Sequence, residues 1–200
     1  MNKYSFIMNT YYISEIENNE NNENNENNEK IKDKREIILP TLYNFYKEND
    51  NINIILPIIS GCSSLSIRVL DWFVTNYAKK YNVVYQLNIG TYFNVYLDYK
   101  SQLKGYKKKM FDPFCRKRRI PFYYEENKCV ITTIGQLNFF KWSIKNEVIN
   151  YVINNFQKIN EDMIISNKKN NIKKVRTTTT SSSVSSDNIH QKPFTIILNN

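Results

Sequence analysis

Histidine, glycine and cysteine are scarce in this sequence, and each scarcity excludes a class of site. The 200 residues include one histidine, His190, near the end of the sequence, so no Ser-His-Asp triad is expected in the central region. The four glycines form none of the Gly-rich loops that cradle phosphates. Cys62, Cys115 and Cys129 contain no CxxC pair. Neither a disulfide framework nor a metal site is therefore predicted, and no cofactor is expected.

Long apolar runs are also lacking. None approaches the roughly 18 residues of a membrane-spanning helix. The longest, residues 52–59, is interrupted by Asn53 and Pro57 and is interpreted as core. Residues 1–13 have neither a long apolar segment nor a small-residue cleavage site. The sequence therefore predicts no transmembrane segment and no secretory signal.

Low-complexity segments occupy both ends. Residues 17–29 repeat Glu-Asn-Asn, a polar pattern that buries no apolar surface. Residues 167–186 combine Lys-Asn clusters with runs of threonine and serine. The region between them is long enough for one core and too short for two. We therefore predict a disordered N-terminal segment over residues 1–35, one globular domain over 36–160 and a disordered C-terminal tail over 161–200.

Hydrophobic periodicity in the central region predicts two main helices and two hairpins. The helices are expected over residues 64–81, with Ser63 or Ser64 as N-cap, and from Thr133 to about residue 157, with Gln136 completing a capping box. The hairpin strands are expected over residues 83–87 with 92–97, and 120–124 with 129–133. This order favours the α+β class, with a small antiparallel sheet packed against the helices.

Positive charge is concentrated in residues 100–119, called the basic segment below and predicted to be a loop. Residues 36–160 hold 17 basic and 9 acidic side chains. The basic segment alone contains nine cations against one acid, Asp112: Lys100, Lys104, Lys107, Lys108, Lys109, Arg116, Lys117, Arg118 and Arg119. Such a local excess is typical of surfaces that bind polyanions or acidic partners.

Aromatic residues alternate with these cations. They are Tyr99, Tyr106, Phe111 and Phe114, followed by Phe122, Tyr123 and Tyr124. Cations that pair with phosphates and rings that stack on bases together favour nucleic-acid binding, with Tyr106 and Phe114 as candidate stacking residues. An acidic protein or membrane surface as the partner, or a basic face that is merely solvated, stays open.

One short pattern raises the possibility of an enzyme. Asp98-Tyr99-Lys100 matches the D-x-K end of metal-dependent nuclease sites, with Asp71 as an upstream acid that would share Mg²⁺. A three-residue pattern arises easily by chance in a lysine-rich chain. A nuclease is therefore a minor alternative, and Asp98 is interpreted as the end of a strand.

Four stretches resemble an uncharacterised family of large nucleocytoplasmic DNA viruses, of the mimivirus and phycodnavirus kind, over about residues 58–157. They are Ser66–Tyr77, Tyr99–Lys104, Phe111–Arg116 and Thr132–Trp142. The resemblance implies a viral factory in the host cytoplasm, or the virion, as the location. We therefore expect a non-enzymatic nucleic-acid-associated protein. The alternative is a structural or scaffold module that docks an acidic protein partner.

Overall fold

The computed structural model describes residues 37–114, 118–125 and 128–179. The Glu-Asn-Asn repeat, the C-terminal residues 180–200 and the candidate residues Arg116 and Lys117 lie outside the described residues. Contacts divide the chain into two compact units, Met1–Met163 and Ile164–Asn200. The domain boundaries at residues 35 and 160 stay predictions.

Two helices precede the first element that the sequence pattern predicted. Helix α1 covers residues 37–47, a 3-10 turn covers Glu48–Asp50, and helix α2 covers Asn51–Ser60. Pro57 lies inside α2, and Gly61 ends the helix in the left-handed conformation that glycine adopts without strain. The apolar run at residues 52–59 is therefore helical, with Ile52, Ile55 and Ile58 buried.

Helix α3 confirms the helix predicted over residues 64–81, with a π-helical interruption. It is α-helical over Ile67–Trp72, π-helical over Phe73–Tyr77 and α-helical again over Ala78–Lys80. The predicted cap at Ser63 or Ser64 is wrong, because the Ser66 hydroxyl accepts the hydrogen bond from the Val69 amide. Ser63 caps a local turn instead and accepts from the Leu65 amide.

Both predicted hairpins are present. Strands β1 (Val84–Asn88) and β2 (Thr91–Asn94) pair antiparallel, as do β3 (Ile120–Glu125) and β4 (Lys128–Thr132). In the described part of the chain they form two separate two-stranded sheets rather than one continuous sheet. The α+β class is confirmed, with more helix than the sequence pattern predicted.

Helix α4 (Val95–Tyr106) begins where the second strand was expected to continue. The side chain of Asn94 accepts a hydrogen bond from the Leu97 amide and so starts the helix. The strand predicted to reach residue 97 therefore ends at Asn94, and Asp98 lies in the first turn of a helix, so its assignment to the end of a strand is wrong. A 3-10 turn over Lys108–Met110 follows.

The helix predicted from Thr133 to about residue 157 is divided into several helices. Helix α5 covers Ile134–Lys145, α6 covers Val148–Asn154 and α7 covers Phe156–Thr179. Thr133 caps α5 as predicted, by accepting from the Gln136 amide. Glu147 breaks the helix with a left-handed backbone, φ 55°. Residues 164–179 of α7 belong to the second unit and are helical, although composition assigned them to the disordered tail.

The core of the first unit is rich in aromatic side chains from α3, α5, β3 and the turn that follows α4. Phe73, Phe111, Phe122, Phe139 and Phe140 are its largest fully buried members. Long-range hydrogen bonds join its helices: the Tyr46 hydroxyl of α1 donates to the Leu137 carbonyl of α5 over 2.6 Å. No helix in the described ranges combines the length and apolar character needed to cross a membrane.

Candidate functional site

The described part of the basic segment is a helix end followed by a tight turn, so its assignment to a loop is only partly right. Lys100 and Lys104 lie on α4, one helical turn apart and therefore on the same face. Lys108 and Lys109 lie on the following 3-10 turn. Regular backbone thus sets the direction in which these cations point.

Helix α5 anchors the end of this turn through its first two turns. The Asn138 side chain donates to the Met110 carbonyl over 3.0 Å, and the Gln136 side chain donates to the Pro113 carbonyl over 2.9 Å. Gln136 therefore binds the neighbouring segment rather than completing the predicted capping box. At Gly135, an added Cβ would lie 3.0 Å from the Asp112 carbonyl oxygen. The missing side chain lets the turn pack directly on α5.

The two acids closest in sequence to these lysines are engaged internally. Asp98 Oδ1 accepts from the Trp142 indole over 2.6 Å and from Gln102 over 3.4 Å. Asp112 is buried, and its Oδ1 accepts from the Phe114 amide over 2.7 Å. Its Oδ2 lies 3.4 Å from the Lys108 ammonium. These carboxylates add little negative charge to the outer surface.

The predicted cations of the segment lie mainly at the surface. The exposed ones in the described residues are Lys100, Lys104, Lys107, Lys108, Lys109 and Arg119, and Arg118 is half-buried. Arg116 and Lys117 are outside the described residues. We call the five lysines from Lys100 to Lys109 the lysine surface. Whether it binds a ligand stays a prediction.

The aromatic residues divide between core and surface. Tyr99, Phe111 and Phe122 are buried core residues, so their contribution to an exposed aromatic array is excluded. Tyr106 is half-buried and stacks on Phe111, with ring planes 8° apart and centroids separated by 5.9 Å. Phe114 is 38% exposed. Tyr123 and Tyr124 are half-buried like Tyr106, so Phe114 is the most accessible of the seven rings and Tyr106 is one of three that are half-buried.

A cavity of about 450 Å³ lies beside the lysine surface. It is lined by Asp71 and Thr75 of α3, by Tyr99 and Leu103 of α4, and by the turn residues Lys108, Asp112 and Phe114. Six of these seven residues, all except Lys108, lie in three of the four stretches that resemble the viral family. The fourth stretch contains Gly135, Gln136 and Asn138, the residues of α5 that anchor the turn. The cavity is therefore assembled from segments that are distant in sequence.

Two carboxyl groups line this cavity, and the pKa of one of them, Asp71, is shifted. Burial, together with the nearby Asp112 carboxylate, raises the pKa of Asp71 to about 6, although the Lys108 ammonium partly opposes the change. Burial and the same two carboxylates raise the pKa of the Tyr99 hydroxyl, so it is neutral at physiological pH. The cavity thus combines an aromatic and aliphatic wall with two acids and one lysine.

The Asp98-Tyr99-Lys100 pattern does not form the geometry expected of a nuclease site. On a helix, residues two apart point in nearly opposite directions, whereas the pattern requires both side chains on one face. Asp98 is directed to Trp142, while Lys100 is exposed. The carboxylate that raises the pKa of Asp71 is that of Asp112, not that of Asp98. In the described residues, no group of three or more His, Cys, Asp or Glu side chains is placed to hold a metal ion.

Sequence reasoning missed the Asp71 and Asp112 pair because 41 residues separate the two acids. In the sequence, Asp112 stands out only as the single acid of the basic segment. Its flanking aromatics, Phe111 and Phe114, were the available signal, since an acid between apolar residues is often partly buried and bonded. Nothing near Asp71 in the sequence indicated its partner.

The fold and site thus define an α+β protein with a lysine surface beside an acid-lined cavity. The chain belongs to a family of unknown function, DUF7197, matched over residues 16–199. It is 49% identical over 127 residues to the uncharacterized protein L507 of Acanthamoeba polyphaga mimivirus. The match covers 60% of this chain and 49% of the relative, so the chain spans about half of that protein's length. No solved structure is significantly similar. The resemblance to an uncharacterised giant-virus family is confirmed.

Proposed function

We propose that this protein binds nucleic acid through the lysine surface, with phosphates as the principal contacts. The observation that carries the proposal is that, in residues 98–112, the positive side chains lie at the surface while the negative ones are directed inward. All five lysines of this stretch are exposed, while Asp98 and Asp112 are tied to internal partners. A surface with cations outside and carboxylates directed inward attracts a polyanion, although Asp112 partly neutralises Lys108, whose ammonium lies 3.4 Å away.

Ring stacking is the second element of the proposal. Tyr106 is held against Phe111, so its orientation is fixed before a ligand arrives. Phe114 lies at the mouth of the neighbouring cavity and is partly exposed. Rings held in this way stack on unpaired bases with little preference for sequence, which favours single strands over duplexes.

The viral relative supports a location where such ligands are abundant. Similarity to a mimivirus protein fits a role in the viral factory of the host cytoplasm or in the virion. DNA and nascent RNA are the main polyanions in the first of these places. Binding without turnover, as by a packaging or protective protein, requires no catalytic group.

The test is fluorescence anisotropy with the full chain and labelled single-stranded DNA, duplex DNA and RNA of equal length. The variant carries Lys100→Glu, Lys104→Glu and Lys109→Glu. Its matched control carries Lys47→Glu, Lys158→Glu and Lys168→Glu, three exposed lysines outside the basic segment. Both variants change the net charge by the same amount, so only position differs.

We expect the first variant to weaken binding by about tenfold or more at about 0.1 M salt, and the control to weaken it far less. An equal loss in both variants would indicate a nonspecific effect of net charge and would contradict the proposal. No binding by the unmodified chain would also contradict it. In that case an acidic protein partner becomes the leading alternative, because docking through a mixed interface depends less steeply on salt.

A further inference from the structure

The cavity beside the lysine surface has the size and lining of a small-ligand site. Its volume of about 450 Å³ lies within the range of about 300–1,000 Å³ that is usual for such sites. Leu103, Tyr99 and Phe114 provide apolar and aromatic wall, and the polar groups converge from α3 and from the turn after α4. A flat ring with polar edges matches this combination.

The polar groups of the cavity determine which hydrogen-bonding groups the edge of a bound ring must carry. An ionised carboxylate only accepts hydrogen bonds, and both Asp71 and Asp112 line the cavity. Asp112 already accepts from the Phe114 amide and lies near the Lys108 ammonium. The Lys108 ammonium also lies near enough to Asp71 to lower its pKa, but it offsets the effects of burial and of Asp112 only partly. A ligand that donates an N–H group to Asp71 would offset the repulsion between the two acids.

Lys108 connects this cavity to the lysine surface, because it lines the cavity and is itself highly exposed. Leu103 and Lys104 are likewise adjacent on α4, one at the cavity wall and the other exposed. Hydrogen-bond acceptors therefore lie inside and positive charges outside. A nucleotide has the complementary arrangement, with N–H donors on the base and negative charge on the phosphate.

We infer that the cavity receives a nucleobase that carries an exocyclic amino group, and that Asp71 accepts a hydrogen bond from this group. The inference rests on the proposed function, since the lysine surface would hold the phosphates of the same strand. Phe114 lies against the base, and an unpaired base is required because a base in a duplex cannot enter. Cytosine, adenine and guanine carry such an amino group. Thymine and uracil have a carbonyl oxygen where cytosine has its amino group, and they can donate only through the ring N3–H, at a different position on the base edge.

The experiment compares oligo(dC) with oligo(dT) of equal length, bound by the full chain. Both are pyrimidine single strands of the same charge, and they differ at the amino position. The variant is Asp71→Ala, and the control is Glu48→Ala, which removes one negative charge from an exposed side chain elsewhere. Unfolding midpoints establish that both variants are folded at the assay temperature.

We expect the unmodified chain to bind oligo(dC) at least about fivefold more tightly than oligo(dT), as one good base contact provides. Asp71→Ala should bring this ratio close to one, while Glu48→Ala should preserve it. A ratio near one in the unmodified chain, or a ratio that Asp71→Ala leaves unchanged, overturns the inference. If both oligonucleotides bind equally and with steep salt dependence, the cavity inference fails while the proposed function stands. If neither binds, both fail.

Discussion

The indole of Trp142 donates a hydrogen bond to Oδ1 of Asp98 over 2.6 Å, and this contact joins α5 to the first turn of α4. Trp142 is buried, with 5% of its surface exposed. Asp98 lies two residues before Lys100, so the contact helps to fix how α4 presents its lysines. An acid that resembled a catalytic residue in the sequence thus has a positioning role in the structure.

Removal of this acceptor should destabilise the protein. Asp98→Ala leaves the buried indole N–H without its partner, at a cost of about 1–3 kcal/mol in the free energy of unfolding. Asp98→Asn keeps an acceptor oxygen and should lose less. Urea denaturation of both variants, alone and combined with Trp142→Phe, measures the coupling between the two side chains. Independent effects of Asp98→Ala and Trp142→Phe would show that the hydrogen bond contributes nothing.

Gly135 provides a test of how closely the turn packs on α5. In Gly135→Ala the new Cβ would lie 3.0 Å from the Asp112 carbonyl oxygen and 3.2 Å from that of Lys109. Because backbone must move to accept it, we expect a loss of about 1–3 kcal/mol in stability and weaker nucleic-acid binding.

The control is Gly105→Ala on α4, where a Cβ meets no atom within 4 Å. A helical glycine in open space should gain up to about 1 kcal/mol of stability when it is replaced by alanine. If both variants shift the unfolding midpoint in the same direction, the close contact at Gly135 does not limit substitution.

Asp71 predicts a pH dependence of stability. Its pKa is raised to about 6 in the folded protein, against about 3.9 in an unfolded chain. The folded state therefore holds the proton more tightly, and stability falls as pH rises through this interval. Asp71→Asn removes the effect, so the variant should match the unmodified chain near pH 4 and exceed it at about pH 7.

Denaturation midpoints across this pH range, with Glu161→Gln as control, test the prediction. Glu161 is exposed and accepts a hydrogen bond only from Gln157 among the described contacts. A constant difference between Asp71→Asn and the unmodified chain at every pH would contradict an elevated pKa in the folded state.

Asp162 predicts the opposite pH dependence. Its carboxylate accepts hydrogen bonds from Lys80, from the Tyr81 hydroxyl over 3.0 Å and from the Trp72 indole over 3.2 Å. Burial alone raises the pKa of this group, but the three hydrogen bonds together outweigh burial and hold the pKa below its ordinary value. Its stabilising effect is therefore full above the ordinary pKa of about 3.9 and is lost as pH falls through the lower folded value.

The corresponding variant, Asp162→Asn, should lower the unfolding midpoint at neutral pH. The deficit should shrink in strong acid, where the aspartate of the unmodified chain is also protonated. Thermal unfolding monitored by circular dichroism at both pH values provides the measurement. If the difference in unfolding midpoint between Asp162→Asn and the unmodified chain stays the same in acid, the negative charge of Asp162 does not contribute to stability.

The sequence predicts best those helices and strands that bury one face and expose the other. Helix α3 and both hairpins have regular apolar spacing and clear turns, and their positions follow from the sequence. Helix α2 was missed because Pro57 and the consecutive isoleucines around it obscure the spacing of about 3.6 residues between apolar positions that identifies a helix. Helix α4 was missed because its first residues, Val95 to Leu97, are of types that also favour strands, and only the Asn94 cap decides between the two.

The site was predictable only in its charge. Clustered lysines are visible in a sequence, whereas the direction of each side chain depends on helix geometry. Their exposure, the hydrogen bond between Asp98 and Trp142, and the shared cavity of Asp71 and Asp112 all depend on the tertiary fold. For the same reason the aromatics near the lysines could not be divided into core and surface beforehand, since Phe111 and Phe114 differ only in packing.

The most direct measurement of the central claim is the salt dependence of single-stranded DNA binding. The full chain is compared with a variant that carries Lys100→Ala, Lys104→Ala and Lys109→Ala. If each lysine contacts one phosphate, the slope of log K against log salt should become shallower by about 2. An unchanged slope in the variant would contradict binding through the lysine surface.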